Sequence, residues 1–178
     1  GSDAVAGVVN IITKSPREMK GTTFTMGGGT FDRTTGGQAA DPGAGRSFYS
    51  SLSHAGVLND RWSYKLSLEF VSQDAFARPT GLIDNAYKSA YPSFANTGTR
   101  QPKMDARVDY DFPDGRQRMT FSGGYGGTSG IIHTGIGPFS IEKGSAASYG
   151  RVDYSRGALK VQFFTNILDG NAPALMAI

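Results

Sequence analysis

Cysteine is absent from the chain. That removes disulfides, thiolate metal sites and cysteine nucleophiles together, and it leaves the compartment undecided. Long apolar runs are missing as well. No stretch approaches the roughly 20 consecutive apolar residues that a membrane-crossing helix needs, and the mean hydropathy is negative. Histidine occurs twice, at His54 and His133, with no partner at ligand spacing, which is poor material for a metal site. The net charge of +3 is slight, and lysines and arginines are scattered between acids, so nothing suggests a nucleic-acid groove. Enzyme signatures are missing too: there is no nucleophile elbow, phosphate-cradling loop or paired-histidine zinc motif. Gly124, Gly126 and Ser129 approach a dinucleotide fingerprint, but they fall in a strand pattern with no helix to follow. The chain is therefore expected to be no enzyme and to need no cofactor.

What is present is glycine, 25 of 178 residues against a usual share of about 7%, together with 11% aromatics. Water-soluble sandwiches share this make-up, so the decision falls to alternation. Trp62, Tyr64, Leu66, Leu68 and Phe70 take one parity, and Ser63, Lys65, Ser67 and Glu69 the other. Side chains alternate across a strand, so this is a strand with one apolar and one polar face. Met104, Ala106, Val108, Tyr110 and Phe112 repeat the scheme against Lys103, Asp105, Arg107, Asp109 and Asp111. Such a charged row does not suit a dry core, where unpaired charge is costly; it suits bulk solvent or a wet lumen. Further strands are expected around Met119–Tyr125, Tyr149–Tyr154 and Leu159–Ile167. A weaker one runs from Thr22 to Met26 and dissolves into Gly27–Gly29. Another spans Arg46 to Val57, where a bulge near Ser53 or His54 would reconcile the parity of Phe48 and Leu52 with that of Ala55 and Val57.

The connections alternate in length. Leu58–Arg61, Pro113–Arg116 and Ser155–Gly157 read as tight hairpin turns. Between them lie long links at Phe31–Gly45, Ala75–Gln101 and Thr128–Ala147. Loops beyond about 12–15 residues are uncommon in compact domains. Transmembrane barrels account for them, with short turns at one rim and long loops at the other, and with strands of about 9–11 residues tilted across the bilayer.

One stretch carries a family resemblance. Gly1, Ser2, Ala4, Gly7, Val8, Asn10, Ile11, Ile12, Thr13 and Lys14, with Val9 where isoleucine is usual, resemble the closing plug strand of TonB-dependent outer-membrane receptors. The resemblance is specific over these residues and architectural beyond them. It implies an all-β chain in two parts: residues 1–16 as the C-terminal end of a plug domain, and residues 17–178 as the N-terminal part of a transmembrane antiparallel β-barrel. About seven strands of a barrel of about 22 would be present. It further implies a Gram-negative outer-membrane location and energised uptake of a scarce ligand such as a ferric siderophore, cobalamin or an oligosaccharide. The partner TonB would act through an N-terminal box outside this chain. The absence of a signal peptide is expected on the same ground, as the missing N-terminal part would carry it. The alternatives are a passive porin-like barrel and a soluble secreted all-β binding domain.

Candidate site residues follow in two groups. In the plug-like strand, Gly7 permits close packing and Asn10 bonds neighbouring plug loops, with Val8, Ile11, Ile12, Thr13 and Lys14 completing the motif. In the long links, Tyr87, Tyr91, Phe94, His133 and Phe139 either contact ligand or pin the loops down. The apolar run Gly130–Ile141 either folds over a barrel mouth or rests on the wall or an adjacent loop, the second reading being favoured. The polar-face charges Lys65, Glu69, Asp105, Arg107, Asp109, Arg151 and Asp153 are expected to form salt-bridged ladders rather than a substrate site.

Overall fold

A computed structural model describes residues 14–33, 43–78, 81–82, 90–91, 93–134 and 137–175, with only the main chain of His133. Gly7, Val8, Asn10, Ile11, Ile12, Thr13 and Tyr87 lie outside the described residues. The elements are β1 (Gly21–Asp32), β2 (Ala44–Val57), β3 (Trp62–Gln73), β4 (Thr99–Asp111), β5 (Gln117–Gly127), β6 (Gly130–Thr134), β7 (Gly137–Ile141), β8 (Ala146–Arg156) and β9 (Leu159–Asp169). Seven of them form one sheet in the order β1-β2-β3-β4-β5-β8-β9, every pair antiparallel. Strands β6 and β7 pair separately as a hairpin. The large sheet is open, and β1 and β9 are its edges.

Its two faces differ sharply in chemistry. One cross-strand row on the apolar face runs Phe24, Leu52, Leu68, Met104, Tyr125, Ser148, Ile167. A parallel row runs Gly56, Tyr64, Val108, Phe121, Val152, Phe163. These side chains have no second layer over them: Phe24 is 61% exposed and Phe163 72%. The only buried hydrophobic residues among those described are Ala55, Ala75 and Ile131. A sandwich buries its inner faces between two packed sheets; among the described residues no second sheet lies over this face. The opposite face carries Lys65, Glu69, Lys103, Asp105, Arg107, Asp109, Arg118, Arg151 and Asp153.

The expected bulge in β2 is not there. The register runs unbroken from Gly21↔Ala55 to Asp32↔Ala44 on one side, and from Ser47↔Gln73 to Val57↔Ser63 on the other. Ala55 and Val57 therefore stand on the polar face, near its turn end, where Ala55 is 3% exposed. A small apolar residue in a sheltered spot needs no correction of parity. Nor does the chain leave the sheet at Gly27–Gly29; β1 continues to Asp32.

Aromatic rings explain that continuity. A Cβ on Gly27 would fall 2.4 Å from the ring of Tyr49, its direct cross-strand partner. The same relation joins Gly45 to Phe31, Gly56 to Tyr64 and Gly124 to Tyr149. In each pair the glycine leaves room for the ring to lie across the neighbouring strand. The ring in turn covers backbone that glycine would leave bare, the known remedy for glycine in a sheet. Four of the 25 glycines thus serve as seats for rings.

Connection lengths segregate by end. The β2–β3, β4–β5 and β8–β9 turns lie at one end of the sheet, and the three longer links lie at the other. Gly115 (φ +64°) and Gly157 (φ +56°) supply the left-handed residues that two of the turns require. In the third, Asn59 Oδ1 accepts the backbone N–H groups of Arg61 and Trp62, each at 2.9 Å. Four aromatics also cluster at the turn end. Trp62 and Tyr110 lie 4.6 Å apart, Tyr110 and Phe112 4.9 Å, and Phe112 and Tyr154 6.3 Å between ring centroids.

Candidate functional site

Alternation along β3, β4, β5 and β8 brings the charges onto one face, and cross-strand register then decides which of them meet. Arg107 and Asp109, two apart on β4, make a doubly bonded pair at 2.7 and 2.9 Å. Thr120, directly opposite on β5, donates its hydroxyl to the same carboxylate at 3.1 Å. Asp109 is only 1% exposed, so these bonds are what make its burial tolerable. Toward the long-link end, Lys103 pairs with Glu69 at 2.7 Å. Arg151 pairs with Asp153 through two bonds of 2.7 Å, and the Tyr149 hydroxyl donates to Asp105. Of the ladder expected of these charges the structure has three separate pairs, while Asp105 meets a tyrosine hydroxyl and Lys65 stands in no ion pair among the described residues.

At the turn end a contact appears that no spacing in the sequence announces. The segment Ser15–Met19 turns back beneath the sheet, with Pro16 fully buried. Arg17 Nε donates to Asp111 Oδ2 at 2.8 Å, and its Nη2 donates to the carbonyls of Asp60 (2.7 Å) and Asn59 (3.3 Å). Arg118 holds the second oxygen of Asp111 at 2.6 Å. This clasp ties the leading segment to β4 and to the β2–β3 turn. Its own turn is closed by Glu18, whose carboxylate accepts the backbone N–H and hydroxyl of Ser15 at 2.6 and 2.8 Å. Those bonds hold the Glu18 carboxyl below its usual range. Asp114 in the β4–β5 turn is lowered likewise, by Gln117 and by the backbone of Arg116.

The polar face opens as a cavity of about 890 Å³, lined among others by Lys14, Lys65, Arg118, Tyr149, Arg151 and Lys160. Arg118 and Arg151 are paired, whereas Lys14, Lys65 and Lys160 hold no ion pair among the described residues. The lining therefore carries a surplus of positive charge and attracts anions. Lys14, the one residue of the plug-like motif within the described range, stands at this cavity.

The residues expected in the long links are placed apart from it. Phe94 is half-buried, with the Arg78 guanidinium 5.8 Å from its ring centroid and bonded to its carbonyl at 3.2 Å. Tyr91 donates its backbone N–H to the Gly81 carbonyl at 3.1 Å. His133 lies in β6 and Phe139 in β7, where Phe139 also bridges to Ala174. The β6–β7 hairpin rests on neighbouring segments: Ile131 N–H donates to the Thr97 carbonyl, and Ser140 N–H to that of Pro173. Gly130 (φ +109°) lies so near Gly98 that a Cβ there would come 2.1 Å from its carbonyl oxygen. Of the two readings open for this run, the structure has it packed on adjacent links. Tyr91, Phe94 and Phe139 are not gathered into one cluster.

Among the described residues no group of three or more His, Cys, Asp or Glu is disposed to hold a metal ion. Sequence reading missed the clasp of Arg17 and the Tyr149–Asp105 bond. The parity of Tyr149 with Arg151 and Asp153 did carry the signal for the latter. Comparison with family models, with curated proteins and with solved structures gave no match.

Proposed function

We propose that this chain is part of a TonB-dependent outer-membrane receptor, comprising the last plug strand and the first seven strands of its barrel wall. The observation that carries the reading is the single-layer sheet itself. One face exposes Phe24, Leu68, Met104, Phe121 and Phe163, and the other holds paired charges. Water penalises that arrangement and lipid on one side with a wet lumen on the other rewards it, as strands of outer-membrane barrels do. The segregation of short turns from long links supports the same reading, and so does the aromatic cluster at the turn end, since such rings favour a membrane interface. The plug-like motif at Gly1–Lys14 adds the receptor class. On this reading the sheet edges β1 and β9 pair with further strands, because unpaired backbone edges are untenable in lipid.

The transported ligand would pass between loops and plug into the lumen, which the surplus lysines make attractive to anions. The test is the coding sequence upstream of Gly1, read together with uptake. A TonB box and further plug residues, with uptake that stops when TonB is deleted, are the expected result. A signal peptide leading directly into Gly1, or uptake indifferent to TonB, sinks the receptor and leaves a passive barrel. A protein monodisperse in water without detergent overturns both.

A further inference from the structure

The β2–β3 turn places two charged side chains on a fixed backbone next to two aromatic rings. Its backbone is fixed from within by Asn59 Oδ1 and from the side by Arg17, which occupies the carbonyls of Asn59 and Asp60. The side chains of Asp60 and Arg61 remain exposed. Neither takes part in an ion pair among the described residues, whereas Arg17, Arg107, Arg118 and Arg151 each hold a carboxylate. Next to them Trp62 and Tyr110 lie 4.6 Å apart, tilted by 41°. With Asn59, these four residues line a cavity of about 350 Å³ at the turn end of the apolar face. Above it the apolar row continues through Tyr64 and Val108, then Leu66 and Ala106.

One anion-binding group, one cation-binding group and two ring faces, set below an apolar wall, match a ligand of particular chemistry. We infer that this cavity seats the headgroup of a zwitterionic phospholipid carrying an ammonium, of the phosphatidylethanolamine class. The guanidinium of Arg61 meets the phosphate, for which its fork of donors is suited. The ammonium lies between the Asp60 carboxylate and the negative ring faces of Trp62 and Tyr110. The acyl chains follow the apolar rows. A lipid whose headgroup is only anionic leaves Asp60 facing a like charge and is disfavoured there. The inference rests on the membrane reading above.

The experiment uses the full-length receptor in a non-ionic detergent, offered equal amounts of phosphatidylethanolamine and phosphatidylglycerol. Native mass spectrometry then counts the lipids retained. The parent should keep the ethanolamine lipid about tenfold better, a difference within reach of one charge-assisted contact. D60N should erase that preference, and R61Q should lower retention of both lipids about tenfold. Both variants should keep the parent's far-ultraviolet dichroism, because neither side chain is engaged in an ion pair. Retention unchanged in D60N and R61Q, or a parent that prefers phosphatidylglycerol, overturns the headgroup seat while the receptor reading stands. A parent that needs no detergent removes the membrane reading itself.

Discussion

Gly124 and Gly126 stand two residues apart on the same face of β5, yet only one of them is constrained. A Cβ on Gly124 meets the Tyr149 ring at 2.5 Å and the Met104 carbonyl oxygen at 3.0 Å, while one on Gly126 meets only Lys103 Cγ, at 4.0 Å. Gly124→Ala must push the ring off its site and break the Tyr149–Asp105 bond. We expect a loss of about 1–3 kcal/mol. Gly126→Ala should be neutral or gain about 0.5 kcal/mol, since alanine loses less backbone entropy on folding. Urea unfolding midpoints of the two variants separate them. The ion pairs divide in the same way. Asp109→Ala removes a carboxylate that is 1% exposed together with its bonds from Arg107 and Thr120, and should cost about 3 kcal/mol. Asp153→Asn breaks a pair whose side chains are 45% and 28% exposed, and should cost under about 1 kcal/mol in the same titration.

Among the elements, the turns and the hairpin respond to different perturbations. Glu18 and Asp114 both have folded-state pKa values below their ordinary range. Between the folded and unfolded values the unfolded chain binds more protons, so stability rises with pH there. The contribution is complete above the ordinary carboxylate range and is lost as pH falls through the lowered folded value. Unfolding midpoints followed from neutral pH into acid should show this fall, and Asp114→Ala together with Glu18→Gln should flatten it. The β6–β7 hairpin depends on Gly130, whose φ and whose approach to Gly98 both exclude a side chain. Gly130→Val should release the hairpin. Hydrogen exchange at Ile131 and Ser140 should then quicken while β3 to β5 stay protected. Sequence periodicity revealed β3, β4, β5 and β8 clearly because each has one apolar face, and β1, β2 and β9 less cleanly. It missed β6 and β7, whose five-residue strands form a separate hairpin bonded to neighbouring segments, so no alternation marks them. Glycine misled at Gly27–Gly29, because its partner ring lies across the sheet in Tyr49 and not nearby in the chain.

For the whole molecule, the exposed apolar face governs behaviour in water. Residues 14–175 produced alone without detergent should sediment as aggregates in analytical ultracentrifugation, driven by that face and by the open edges of β1 and β9. Much of the polar-face ladder was legible, since parity alone places Lys65, Asp105, Arg107 and Asp109 together. The clasp was not, because Arg17 reaches Asp111 across 94 positions and nothing local marks the pair. That clasp also determines where mechanical tension goes. A pull transmitted from upstream of Lys14 arrives at Arg17 before it arrives at β1, and is shared among the Asp111 carboxylate and two carbonyls of the β2–β3 turn. The load thus passes into β4 and the middle of the sheet, and the edge strand β1 is spared from being peeled away. Whatever lies ahead of Ser15 can be drawn taut while the sheet behind it keeps its register.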